Sequence, residues 1–331
     1  MNHSMMTINS AQDRPGATMC QLDITKDLAF QPAYNNNSWF AFGRYQTGGH
    51  TINILFHLMC MKVPVLGFQY QSVVTVFDET TGYYYAKDYL YRKSQVEVHD
   101  NEFFLKVPNG SMSGDWDKMY IRISERDIKV NLELTAIHYP ILIGGNSIID
   151  MCNMCIHEYS VPRMLTRGSI TVQGHTYDLT DAGYTWFDRQ WQNINYMHST
   201  MKWTWMSISL DSGEIFSIFD TDLKGWEDNV LAVLEPDGTQ TNLRHIPRFV
   251  EGEKEYWTSP ASKRKYPVRW ELKIPQLDTV LEIVPIKKEQ EIKSVLSELN
   301  KYEGNCIVRG IYKGKAVTGH ALVEMIGPWL R

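Results

Sequence analysis

Six short turn signals, set between runs of alternating or β-branched residues, restrict this chain more than any other feature. They are Gly48-Gly49, Asn109-Gly110, Gln173-Gly174, Ser212-Gly213, Asp237-Gly238 and Lys313-Gly314. Tight antiparallel hairpins demand such pairs because their central positions need φ > 0. The runs between them have a period of two: Trp203, Trp205, Ser207 and Ser209 alternate with Thr204, Met206, Ile208 and Leu210, as in a strand with two distinct faces. Similar runs occur at Thr51–Leu58, Ser72–Phe77, Met119–Ile123, Ile128–Leu134, Ser169–Val172, Val268–Ile274, Thr279–Val284 and Cys306–Tyr312. Only Lys287–Leu299 is spaced like a helix, with Ile292, Val295, Leu296 and Leu299 on one side. The expectation is an all-β antiparallel protein with a short helix near the C-terminus. One closed barrel does not absorb so many strands, whereas two do.

Length permits this. The chain has 331 residues, enough for two domains that need no disulfide or metal to hold a core. Residues 1–20 are polar and aperiodic and read as a flexible lead-in, leaving domains over 21–193 and 194–331. With 43% apolar and 21% charged residues, disorder is excluded as the main theme. The net charge of -5 argues against nucleic acid as a partner, since phosphate binding needs a concentrated basic surface. The basic cluster Lys263, Arg264, Lys265 is short and reads as a solvated loop.

The opening residues show no charged region followed by an apolar run. The most apolar stretch, Ile52 to Phe68, is broken by His57, Lys62, Pro64 and Gly67, which predicts no membrane insertion. A soluble, cytoplasmic protein is expected. Oligomeric state is not legible.

Chemistry-bearing motifs are few. Cys152 and Cys155 form a C-x-x-C near His157, but no second ligand pair follows, and the βαβ setting of a redox pair is missing. They read as loop thiols, with no metal site. The Asn-x-Ser sequons at Asn2, Asn36 and Asn109 are of chance frequency. Gly144-Gly145-Asn146 lacks the spacing of a phosphate loop or dinucleotide fingerprint, so no cofactor is expected. His57, on an alternating strand, reads as a core histidine. Glu303 and Glu324 read as carboxylates bonded at barrel ends, and His198 and His320 have no evident partner.

Aromatic residues are plentiful, with 10 Trp, 18 Tyr and 12 Phe. They suit a pocket for a small hydrophobic substrate, and equally a sheet core. Trp186 and Phe187 precede a D-R-x-W group, Asp188, Arg189 and Trp191. On a strand, Asp188 and Gln190 point one way while Arg189 and Trp191 point the other. Arg189 beside an indole can present a cation and an apolar wall to one ligand; alternatively, Arg189 and Asp188 form a structural pair closing a barrel end.

Three longer segments extend the reading. SWFAFGRYQTGGHTINILFHL carries a Trp-aromatic-x-x-Gly strand and a Gly-Gly turn. EYSVPRMLTRGSITVQGHTYDL precedes the D-R-x-W group. YEGNCIVRGIYKGKAVTGHALVEMIGP closes the chain with a recurring Tyr, Glu and Gly pattern. In this order the segments resemble the carotenoid 1,2-hydratase/AttH-like family, across nearly all of the chain after the lead-in. The resemblance implies two lipocalin-like antiparallel β-barrels in tandem and chemistry without cofactors: hydration of isolated alkenes or, in more distant relatives, cyclisation of polyene or polyketide chains, Diels–Alder closure included. In the hydratase branch a His-x-Trp pair after the Asp is catalytic. Here Arg189 stands at the His position and Trp191 matches. A later Tyr-x-Asp pair falls around Phe216 to Asp220, where only Asp220 supplies a carboxylate.

Two enzymatic readings and one binding reading follow. A guanidinium is a poor proton donor but can polarise a carbonyl, which favours a cofactor-independent cyclase or pericyclase. Its catalytic candidates are Asp188, Arg189, Trp191 and Asp220. Trp39, Phe40, Glu158, Tyr159, Trp186, Trp203, Trp205 and Glu324 would hold the substrate. The alternative is a hydro-lyase on an isoprenoid or phenolic alkene, with a buried carboxyl as the acid. A non-catalytic carrier of a hydrophobic metabolite is the third.

Overall fold

The computed structural model describes residues 23–195, 200–247, 250–251, 255–296 and 300–328; the expected lead-in over 1–20 and His198 lie outside them. Within them the chain is all-β, apart from one helical turn at Ile24–Asp27 and short 3-10 turns. The six turn signals fall in or beside hairpin connections. At three of these, Gly48-Gly49, Gln173-Gly174 and Lys313-Gly314, both central residues take positive φ: 55° and 77°, 51° and 80°, then 49° and 74°.

Among the described residues there are two curled antiparallel sheets of 14 and 10 strands, the tandem lipocalin-like arrangement, and a separate two-stranded ladder of Tyr256–Thr258 with Lys265–Pro267. In the first, strands His50–Val63 (β2), Asn36–Thr47 (β1), Gly183–Gln192 (β4) and Met154–Val172 (β3) lie side by side in that order. In the second, the neighbours are Ile215–Leu223 (β6), Lys202–Leu210 (β5), Lys315–Ile326 (β8) and Lys301–Tyr312 (β7). Pro162 has no N–H for the ladder, and the β3–β4 register shifts between Val161 and Met164.

The chain forms two compact units. Among the described residues, the first comprises those of 23–72, 90–149 and 155–193, and the second those of 73–89, 150–154 and from 194 to 328. The segments Val73–Tyr89 and Asp150–Met154 thus belong to the second unit although chain order sets them among first-domain strands.

Each barrel core is built from one face of its strands. In the first unit Phe187 meets Phe103 at 5.9 Å and Tyr159 meets Trp116 at 6.2 Å. In the second, Met206, Ile208, Phe216, Ile218, Trp270, Tyr302, Val323 and Met325 form one buried cluster. The central strands are buried on their other face as well: residues 36–41 of β1 and 185–189 of β4 are all buried. Doubly buried strands lose the polar-out alternation of a solvated barrel wall, and here the second face carries polar residues. One packing device recurs in both units. A Cβ on Gly43 would sit 2.2 Å from the Tyr45 hydroxyl, and one on Gly304 would sit 2.3 Å from the Tyr302 ring.

The helix expected over Lys287–Leu299 is not formed in its described part, residues 287–296. Glu291–Ile292 is instead a short strand paired with Tyr302 and Lys301 of β7. The Gln290 side chain accepts from Asn305 N at 2.9 Å and donates to Lys287 O at 2.6 Å. Tertiary pairing has overridden a local pattern. The basic cluster also differs from expectation: Arg264 is buried and donates to Asn300 O at 2.7 Å. Among the described residues no helix is long and apolar enough to cross a membrane.

Candidate functional site

Alternation along β4 divides the predicted residues between two faces. Trp39, Tyr159, Arg189 and Trp191 lie on the barrel-core face of the first unit, with Trp39 and Tyr159 opposite Arg189 in the flanking strands. Arg189 is fully buried. Its Nε donates to Asp27 O at 2.8 Å, Nη1 to Gln190 O at 2.7 Å and Ser38 O at 3.3 Å, and Nη2 to Ala29 O and Asn37 Oδ1, both at 2.8 Å. A guanidinium has five N–H groups, and all five are used.

The ring centroids of Trp39 and Trp191 lie 4.3 and 4.9 Å from the Arg189 guanidinium carbon. The Trp39 indole also donates to Leu28 O at 2.8 Å. Arg189 therefore straps the Ile24–Asp27 turn and the segment after it onto the barrel. It has no donor left to polarise a ligand carbonyl, and Asp188, on the opposite face, is not its partner. Burial brings the guanidinium down to about 10, so it remains charged at neutral pH. Burial likewise pushes the Asp27 carboxyl up to about 6 against the pull of Arg189.

The other face gathers Phe40, Glu158, Trp186 and Asp188. Cross-strand register sets His57, Phe40, Asp188 and Ser160 in one row across β2, β1, β4 and β3. Beside this row stand Phe42 and Trp186 on one side, and Ser38, Gln190 and Glu158 on the other. The Trp186 indole N–H donates to Asp188 Oδ1 at 2.6 Å, and its rings stack on Phe42 with centroids 5.7 Å apart. Ser38 Oγ lies 2.7 Å from His57 Nε2, and the edge of His57 meets Phe40 at 5.0 Å. Gln190 donates to Glu158 Oε2 at 2.6 Å. Ser160 is fully buried, and its Oγ has no protein hydrogen-bond partner.

A buried hydroxyl without a partner marks a place for water or a ligand oxygen. The face thus combines a carboxyl that accepts from an indole N–H, an imidazole, a hydroxyl without a protein partner and three aromatic rings. Sequence reasoning missed Ser38, His57 and Ser160 as site residues; the pairing of β4 with β1 on one side and β3 on the other, which no local signal announces, is what brings them to Asp188.

In the second unit Asp220 and the predicted aromatic residues separate. Asp220 lies opposite Thr204 and Asn229, on the core face. Trp203, Trp205 and Glu324 lie on the other face, where Trp205, Glu324 and Glu303 form a row across β5, β8 and β7. Trp203 meets Phe219 edge-on at 4.9 Å, and the Trp205 indole donates to Ser217 Oγ at 3.1 Å. Lys301, buried, lies 2.5 Å from Glu303 and 3.1 Å from Glu324. Neither Lys301 nor Glu303 was predicted as a site residue, since a lone Lys before Tyr-Glu-Gly gives no local sign of burial.

Cys152 and Asn153 are the positive-φ residues of a hairpin turn, at 49° and 64°. The Cys152 thiol is buried and donates to Trp226 O at 3.3 Å, while Cys155 is exposed.

Known proteins share this architecture. The AttH-like family profile matches residues 15–328. Kievitone hydratase of Fusarium solani subsp. phaseoli is 24% identical over 206 residues, 61% of this chain and 58% of that protein, so the match spans less than two thirds of the relative's length. The crystal structure of kievitone hydratase from Nectria haematococca superposes with a TM-score of 0.80 at 18% identity, covering 93% of both chains. An AttH protein from Nitrosomonas europaea gives 0.79 at 20% identity, covering 97% of this chain and 100% of that one. CghA crystallised with Sch210972 gives 0.59 at 9% identity over 90% of this chain and 89% of that one. With nearly its whole described length matched in sequence profile, the chain belongs to the AttH-like family.

Proposed function

We propose that the protein is a cofactor-independent hydro-lyase that adds water to, or removes it from, an alkene on an isoprenoid or phenolic skeleton. The observation that carries this is the row His57–Phe40–Asp188–Ser160, a buried carboxyl set among rings and next to an unpartnered hydroxyl. In the hydration direction, Asp188 in its acid form gives its proton to one alkene carbon. A C–H bond forms, and the adjacent carbon becomes cationic. The faces of Trp186, Phe40 and Phe42 steady that cation through their ring quadrupoles. Water held at Ser160 attacks it, forming the C–O bond, and its surplus proton returns to the Asp188 carboxylate. The enzyme is restored, and the alkene has gained H and OH.

The likeness to kievitone hydratase supports this reading, as does the engagement of every Arg189 donor, which takes away the group that a carbonyl-polarising cyclase would use. Kievitone is accordingly the first substrate to test. Reaction in heavy-oxygen water decides the class: an alcohol carrying the label is expected. A cyclised product without label indicates a pericyclase on the same face. Binding without conversion indicates a carrier and overturns the enzymatic reading.

A further inference from the structure

The second unit has a cleft that the reaction above leaves unused, beside the basic cluster Lys263, Arg264, Lys265. One wall is the turn between the strands Tyr256–Thr258 and Lys265–Pro267. Ser259 holds that turn: its Oγ accepts from the N–H groups of Ala261 and Ser262, both at 3.2 Å, and its backbone O accepts from Lys263 N at 3.0 Å. The Glu291 carboxylate fixes the same turn by accepting from the Ser259, Ser262 and Tyr266 hydroxyls. The other wall is Lys293–Val295 with Asn300, where Asn300 Oδ1 accepts from Ser294 N at 2.9 Å. Between the walls lies a volume of about 320 Å³, at the small end of the range for ligand sites, roughly 300–1,000 Å³.

The lining is one-sided in its chemistry. Arg264, only 4% exposed, donates from Nη1 to Asn300 O at 2.7 Å and Gly327 O at 3.3 Å. Lys293 adds a second cation from the exposed rim. No carboxylate is among the described lining residues, and Glu291, with three hydroxyls on its oxygens, offsets one of the two positive charges. Among the described residues nothing pairs with the Lys293 ammonium, accepts the Ser294 O–H or takes the Asn300 Nδ2 hydrogens. Asn300 is 5% exposed. Buried amides are almost always satisfied, so an unused one on the wall of a cleft marks where an acceptor belongs.

We propose that this cleft binds a small oxyanion, a phosphate or carboxylate on a body of a few heavy atoms, with Lys293 and Arg264 supplying positive charge and the Ser294 hydroxyl and Asn300 Nδ2 donating to its oxygens. An oxyanion brings several acceptors and a negative charge at once, and hydrogen bonds to an ionised group are roughly twice as strong as neutral ones. A neutral guest leaves the ammonium unanswered. The site lies within the second unit, stands on its own geometry and does not depend on the Asp188 reading.

Calorimetric titration of the full chain at about 0.15 M salt with glycerol 3-phosphate, glycerate and uncharged glycerol tests it. Both anions are expected to bind and glycerol is not; the tighter anion identifies the head group. Lys293→Met should weaken anion binding roughly tenfold, equivalent to about 1.4 kcal/mol, and leave the melting temperature alone because the residue is exposed. Lys118→Met removes the same charge from an ion pair with Glu133 in the first unit. It should change affinity by less than about twofold, since exposed charges are screened over ~8 Å at that salt. Asn300→Asp keeps the acceptor for Ser294 N but replaces the donor with a negative charge, and should abolish anion binding; Lys293→Met decides the matter if the Asp variant fails to fold. No binding of either anion by the wild-type chain, equal binding of glycerol, equal losses in Lys118→Met and Lys293→Met, or unaltered affinity in Asn300→Asp overturns the proposal.

Discussion

Replacing Arg189 by Met tests what the D-R-x-W group does. Met roughly keeps the length and apolar stem of Arg but donates nothing. The carbonyls of Asp27 and Ala29 then lose the donors that strap them down. An abandoned buried acceptor costs about 1–3 kcal/mol, so two cost ~2–6 kcal/mol. Part of this is regained because a charged group need no longer be desolvated. A net loss of about 3 kcal/mol, for a unit of this size, lowers its melting temperature by ~6–12 °C. Calorimetry of Arg189→Met against wild type measures it, and limited proteolysis ahead of β1 reports whether the Ile24–Asp27 turn has come free. Arg189→Lys, whose single ammonium cannot fork across several carbonyls, should recover only part of the loss. A Met variant that melts with wild type yet turns over no substrate would show that the guanidinium acts on the ligand and that the strap is incidental.

Asp188→Asn should cut hydration by ~10²–10⁴, the usual range for a general acid, with an unchanged melting curve because the Trp186 N–H can donate to an amide oxygen as well. Ser160→Ala removes a hydroxyl that has no protein partner; stability should hold while alcohol formation falls relative to deuterium uptake into the alkene from heavy water. Asp27 titrates higher folded than unfolded, about 6 against 3.8. Its contribution to the first unit's stability is therefore present below about pH 3.8 and lost as pH rises through 6; Asp27→Asn should flatten denaturation midpoints across that window. Gly43→Ala and Gly304→Ala each drive a methyl into a tyrosine ring and should cost ~1–3 kcal/mol by urea unfolding.

The hairpins and the facing of individual strands were legible because both depend on neighbours in sequence: Gln173-Gly174 needs only its own backbone, and the opposition of Asp188 to Arg189 follows from the pleat. What each face meets depends on partners far along the chain. Trp39 and Arg189 are 150 residues apart and directly paired, so the use of Arg189 as a strap was hidden even though its direction was clear. The Lys287–Leu299 pattern misled for the same reason, since Gln290 and Glu291 are committed to β7. Lys301 was invisible, because nothing local distinguishes a buried lysine from an exposed one.

Consecutive residues of β4 serve opposite ends: Arg189 holds the fold, while Asp188 looks toward the proposed chemistry. A change that loosens one shifts the peptide plane of the other. Tuning such an enzyme for a new substrate through this strand therefore perturbs its scaffold at the same stroke. Among relatives, a shared D-R-x-W string would record selection on architecture as much as on reactivity, and engineers would do better to begin from Phe42, Trp186 or Ser160.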